Sequence, residues 1–239
     1  MVFNDTTNRK GIIQEIEKNT DLGIGYISGN TDRMKDFTAD INVVGSEVFA
    51  LIYLLCGNWQ YDDSNYTDLP QAVTDLVSGT DKYLIPETAL TIQRLEYKDS
   101  SGNWNVLTPI TKEQITGAVD EFLKDNGNPQ YYRVLNGTVE LFPAPNFSTS
   151  SGLKIYFDRA NVDFSVSDTT KKPGFDSFLH DIIPVKTAIR WYDRKQSTHP
   201  NLTRLLAREA KLEALLTKHY SKRFRDKKPV IGRKKVSFK

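Results

Sequence analysis

Between Thr31 and Cys56, apolar residues recur at Met34, Phe37, Ile41, Val44, Val48, Leu51 and Leu55, in alternating steps of three and four. This heptad stripe predicts one long helix of about 39 Å, with a continuous apolar seam for neighbouring helices. Asn30 or Thr31 is placed to cap its start, and Cys56-Gly57-Asn58 signals its end, through a glycine free to adopt the left-handed conformation. Upstream, Lys10 to Asn19 predicts a shorter helix with Ile12, Ile13 and Ile16 on one face. Gly23, Gly25 and Gly29 mark a flexible connection between the two.

The period then changes. Tyr61 to Leu69, rich in Asp, Asn and Tyr and followed by Pro70, reads as a loop. Lys82 to Pro86 and Leu90 to Lys98 alternate as strands, Asp99 to Asn103 is a turn cluster, and Trp104 to Ile110 returns as the second arm of a hairpin. Thr111 and Gln114 form a capping box ahead of Ile115, Val119, Phe122 and Leu123, which predicts a short helix at about 111–126. The strongest local signal is Asn136-Gly137 between Tyr131–Leu135 and Thr138–Phe142, a pair suited to a type I′ hairpin turn. Leu153 to Arg159 supplies another strand.

From Phe175 the pattern is helical again. Phe178, Ile182, Ile189 and Trp191 are offered to a buried face, and Pro184 is expected to kink or divide the helix. Beyond His199-Pro200-Asn201, a last helix from Leu202 to about Arg223 carries Leu205, Leu212, Leu216 and Tyr220. This order predicts an α+β fold. Residues 1–80 and 175–224 form a helical bundle, 81–174 an inserted antiparallel β subdomain, and 225–239 a basic C-terminal tail with too few apolar residues for a core.

With 38% hydrophobic and 26% charged residues, the chain falls in the range of folded globular proteins. No apolar run approaches the roughly 20 residues that cross a bilayer, and the N-terminus lacks a basic-then-apolar signal pattern. The expectation is a soluble protein made in a cytoplasm, with no membrane partner. The Asn-x-Ser/Thr sequons at Asn4, Asn65, Asn136, Asn146 and Asn201 are then chance occurrences. The lone Cys56 excludes an internal disulfide, and the scattered His180, His199 and His219 make a poor zinc set, so neither cofactor nor metal is expected.

A formal net charge of +2 conceals an asymmetry. Residues 201–239 hold 13 Lys and Arg against 3 Asp and Glu, whereas residues 1–200 hold 19 against 27. An acidic body therefore carries a basic extension, suited to an acidic partner surface or a nucleic-acid backbone.

Enzyme motifs are missing: no phosphate-binding P-loop, dinucleotide fingerprint, nucleophile elbow or H-E-x-x-H pattern occurs. Gly23, Gly25 and Gly29 are spaced one residue beyond the dinucleotide fingerprint, with no strand ahead of them. Asp62-Asp63 with Asp68 have the chemistry for a hard cation but also that of turn formers. His180 beside Asp181, with Asp176 one turn upstream, is the one arrangement like an acid–base pair, and no nucleophile accompanies it. Tyr220, Arg223 and Phe224 interleave aromatic and basic character, although Tyr220 and Phe224, four apart, also suit an ordinary apolar pair.

An ordered series of segments runs through most of the chain. It comprises Gly57-Asn58-Trp59-Gln60-Tyr61-Asp62-Asp63-Ser64-Asn65-Tyr66-Thr67-Asp68-Leu69-Pro70, Tyr83-Leu84-Ile85-Pro86, Leu95-Glu96-Tyr97-Lys98-Asp99 and Gly102-Asn103-Trp104. Leu107-Thr108-Pro109-Ile110, Gly127-Asn128-Pro129-Gln130-Tyr131-Tyr132, Leu141-Phe142-Pro143-Ala144-Pro145 and Leu153-Lys154-Ile155-Tyr156-Phe157 follow, and the series ends near Pro173-Gly174-Phe175 and Phe178-Leu179-His180. Across roughly residues 10–222 this resembles the head-to-tail connector (adaptor or neck) proteins of tailed bacteriophages.

The resemblance implies a non-enzymatic ring, commonly of twelve copies, at the virion neck beneath the portal vertex. Its implied partners are the portal protein, tail or nozzle proteins, further copies of itself, and genome DNA passing through the lumen without sequence-specific binding. A ring subunit needs two different, complementary faces, which an acidic body and a basic extension can supply. The docking candidates are Lys222, Arg223, Arg225, Lys227, Lys228, Arg233, Lys234, Lys235 and Phe238. An alternative reading is a nucleic-acid-binding protein that uses the same basic tail as a phosphate clamp.

Overall fold

Ile12, Ile13 and Ile16 form the inner face of the first helix, α1 (Ile12–Asn19), in the computed structural model, which describes residues 1–56, 71–114 and 126–223. The heptad stripe becomes α2 (Thr31–Cys56), with Met34, Phe37, Ile41, Val44 and Val48 buried. Asn30 is its cap: Oδ1 accepts the backbone N–H groups of Asp32 (3.1 Å) and Arg33 (3.0 Å). By length and composition α2 is long and apolar enough to cross a membrane, which revises the sequence expectation. Its seam, however, packs against α3 (Ile182–Lys195) and α4 (Pro200–Arg223) and shares one core with the isoleucines of α1, as in the core helix of a bundle.

Pro184 does not kink or divide α3. It is the third residue of that helix, within the first turn, where its missing N–H would have had no intrahelical partner. Pro200 likewise opens α4 at the first helical position. Phe178 does not join the buried face: it sits in a short 3-10 turn, Ser177–Leu179, and is 62% exposed. Leu179, Ile182 and Ile183 fill that side of the core instead.

The described residues divide into two units, one from Met1–Asn65 with Asn161–Lys239 and the other from Tyr66–Ala160. The divisions fall near 66 and 161 instead of 81 and 174. One cause is β1 (Gln71–Leu76), a strand of the second unit that lies before residue 81.

In the second unit a four-stranded antiparallel sheet has the order β1-β10-β3-β4, where β3 is Ala89–Lys98, β4 Trp104–Val106 and β10 Thr149–Arg159. A second sheet has the order β2-β8-β7-β5, from β2 (Lys82–Leu84), β5 (Thr108–Pro109), β7 (Tyr131–Leu135) and β8 (Thr138–Phe142). Trp104 to Ile110 is therefore not one hairpin arm. Its first half pairs with β3 and its second runs parallel to β7, with buried Leu107 at the crossover. A further parallel pair joins β6 (Asn126–Gly127) to β9 (Ala144–Pro145).

Alternation places Leu95, Tyr97, Leu153, Ile155 and Phe157 from one sheet and Tyr132, Val139 and Leu141 from the other in a single core. The hairpin turn has φ of +49° at Asn136 and +71° at Gly137, the positive pair that a type I′ turn requires. Of the expected helix at 111–126, the described part is a 3-10 turn, Lys112–Gln114. There Gln114 Oε1 accepts the Thr111 N–H at 2.9 Å, one half of the capping box. Ile115, Val119, Phe122 and Leu123 lie outside the described residues, as does the expected loop 61–69.

Candidate interaction surfaces

The acid–base arrangement expected around His180 is not assembled. The imidazole is buried, with Nε2 2.7 Å from the Phe175 carbonyl oxygen and Nδ1 2.8 Å from the Met1 α-amino nitrogen. A carbonyl only accepts and an ammonium only donates, so the neutral ring carries its proton on Nε2. Burial pushes its pKa down to about 4, the Phe175 hydrogen bond acting the other way and the charge at Met1 adding to the depression.

Asp176 turns away from His180: its Oδ2 accepts from His219 Nε2 and from the Tyr220 hydroxyl, each at 2.9 Å. Asp181 pairs with Arg208 at 2.5 Å. Each carboxylate thus fastens a different part of α4 to the start of α3, and neither reaches the imidazole. Tyr220 is fully buried and belongs to the helical core.

The Gly23–Gly29 connection is an ordered cage around a carboxylate that sequence reasoning missed. Glu17, fully buried, accepts the backbone N–H groups of Gly25 (2.9 Å), Ile27 (2.8 Å) and Ser28 (3.0 Å). Gly23 and Gly25 have φ of +82° and +90°, which lets the amides of Gly25, Ile27 and Ser28 converge on one anion. The anion is the chain's own Glu17 carboxylate. A lone acid on the apolar side of α1, ahead of a glycine-rich turn, was the available signal.

The docking candidates Lys222, Arg223, Arg225, Lys227, Lys228, Arg233, Lys234, Lys235 and Phe238 have side chains outside the described residues, as do Phe224, Asp62, Asp63 and Asp68. Among the described residues no group of three His, Cys, Asp or Glu side chains is placed to hold a metal.

What the described surface offers is contact area. In the second unit an open cleft of about 1050 Å³ is lined by Leu84, Leu90, Tyr132, Val134 and Leu135, and Leu84 is 82% exposed. In the helical unit, ion pairs tie the helices together. Asp40 accepts from Arg194, Glu47 pairs with Arg190 (3.2 Å), and Lys186 bridges Glu209 (2.8 Å) and Glu213 (2.6 Å). Exposed Arg204, Lys211 and Lys218 on α4 enter no ion pair among the described residues.

Compared with known families, residues 32–218 match the model described as SU10 adaptor protein, from the first turn of α2 to the last turns of α4, more than three quarters of the chain. No curated protein matches the chain.

Proposed function

The chain belongs to the SU10 adaptor protein family, a phage head-to-tail adaptor family, and from that premise we propose that it is a virion structural protein forming a ring beneath the portal. In this reading copies of the chain, commonly twelve, join capsid to tail around the DNA channel at the virion neck. Portal protein lies on one side and tail or nozzle proteins on the other, and the protein catalyses no reaction. The observation that carries the reading is the family match across both the helical unit and the β unit.

Residues 225–239, with Lys222 and Arg223 leading into them, act as the docking extension to the portal or a neighbouring copy. The excess of acids over bases in residues 1–200 keeps the channel wall from holding the DNA backbone, so the genome slides through.

Native mass spectrometry of the purified chain, alone and with the portal ring of the same virion, tests this directly. Addition to the portal in a ring stoichiometry supports the adaptor role. A chain that ignores the portal and instead binds duplex DNA, with affinity falling steeply as salt rises, would establish the alternative phosphate clamp. Deleting residues 225–239 should abolish portal binding; full assembly without them would remove the docking role from the tail.

A further inference from the structure

Among the described residues, two helices of the first unit each leave one face uncovered, and the two faces match each other. On α2 the side away from the core presents Ala39, Val43, Ser46 and Ala50, all exposed, with Val43 at 45%. On α4 the corresponding side presents Ala207, Ala210, Ala214 and Thr217, also exposed. Both sets repeat in steps of three and four, which gives a straight strip along each helix.

Charge distinguishes the two. At 100° per residue, Asp36 and Glu47 lie about 50–70° to one side of the α2 strip, about 16 Å apart along the axis. Arg204, Lys211 and Lys218 lie about 60–100° to the same-handed side of the α4 strip, spanning about 21 Å. Asp36 and these three cations enter no ion pair among the described residues, whereas Lys186 and Arg208 on the inner sides are paired. When two helices pack face to face, rows on the same-handed flank meet only if the helices run antiparallel.

We propose that α2 of one copy packs antiparallel against α4 of the next copy, with Asp36 beside Lys218 and Glu47 between Lys211 and Arg204. The occupant of each face is a second copy of this chain. This rests on the adaptor reading and deepens it by naming the subunit contact. The contact is heterologous, since each copy gives α4 to one neighbour and α2 to the other, and such contacts form a ring when the rotation between copies closes. The antiparallel arrangement also sets the N-terminal end of one helix against the C-terminal end of the other, the favourable sense for both helix dipoles.

Disulfide trapping in the full-length chain decides the matter, because native Cys56 is buried. Val43→Cys and Ala210→Cys variants, mixed and assembled with the portal ring under mild oxidation, should cross-link to each other. Neither variant should cross-link with itself. The Val43→Cys/Ala210→Cys double variant should give a ladder of covalent oligomers. In parallel, Lys218→Glu should weaken assembly about fivefold, and Asp36→Lys on the same chain should restore it.

A ring of correct mass without the mixed cross-link, or with Val43→Cys linked to itself, overturns this contact and leaves the adaptor role standing. If no assembly forms, alone or with the portal, both fail.

Discussion

The Met1 α-amino group lies 2.8 Å from His180 Nδ1, closing a contact across 179 positions of sequence. Around it the first residues are sewn into the helical unit: Phe3 N–H donates to the Lys171 carbonyl (2.7 Å), and the Phe3 carbonyl accepts from Ile13 N–H (3.1 Å). The buried imidazole is thus the point where the opening segment meets the turn before α3. Burial also lowers the Met1 amine below its usual pKa, with help from the Lys172 charge.

That geometry makes stability acid-sensitive. The folded pKa of His180, about 4, lies below the ordinary 6.5, so between these values the unfolded chain binds a proton that the folded chain refuses. The contribution is fully present above about pH 6.5 and is lost progressively as the pH falls to about 4, amounting to roughly 3 kcal/mol. Urea unfolding of the native protein and of His180→Gln at pH 7, 5.5 and 4.5 should give curves that converge toward acid. Glutamine keeps one donor and one acceptor but takes up no proton. Parallel curves would assign the acid sensitivity to other groups.

Glu17 holds its loop by accepting three backbone N–H groups, so Glu17→Ala strands buried donors and should destabilise the helical unit by about 3 kcal/mol. Glu17→Gln, which keeps one accepting oxygen, should cost about half as much. Hydrogen exchange at Gly25, Ile27 and Ser28 is the specific readout: their amides should lose protection in both variants before the rest of the unit does.

The hairpin makes a sharper local test. Gly137 at φ +71° closes the β7–β8 turn, and its carbonyl also accepts the Ile85 N–H at 2.9 Å. Gly137→Ala should cost about 1 kcal/mol through left-handed strain. Asn136→Gly, already at a tolerated position, should change stability by only a few tenths. Equal losses in denaturant midpoint for the two would argue that the turn does not set the register.

What could be read in advance follows from where the information sits. The span of α2 was legible because one seam of seven apolar positions fixes both its period and its ends, and Asn136-Gly137 was legible because only one common turn wants that pair. By contrast β1 exposes most of its side chains and is held by backbone pairing to β10, so Gln71–Leu76 carries no alternation to detect. Pro184 and Phe178 were misplaced for a shared reason: α3 starts after His180, later than its apolar spacing suggested, which makes the proline a first-turn residue. The Asp176–His180 pair looked plausible from spacing alone, which cannot show that His219 and Tyr220 on α4 arrive to take the carboxylate.

Any contact made through α4 depends on the joint between α3 and α4. Lys186 lies between Glu209 and Glu213, four residues apart on α4. Burial alone would lower its pKa, but the hydrogen bonds and charges of the two glutamates outweigh burial and leave it raised. A raised lysine contributes its full stabilisation below its ordinary pKa of 10.5 and loses it only as the pH climbs through the higher folded value, so stability near neutrality should not vary on its account. Lys186→Met keeps the aliphatic stem and removes the charge, leaving two carboxylates to repel each other. With solvent screening, the expected loss is about 1–2 kcal/mol. Adding Glu213→Gln should recover part of it, and raising the salt concentration should narrow the gap from the native protein. A loss unchanged by either manipulation would mean that Lys186 supports the joint through packing of its stem instead of through its charge.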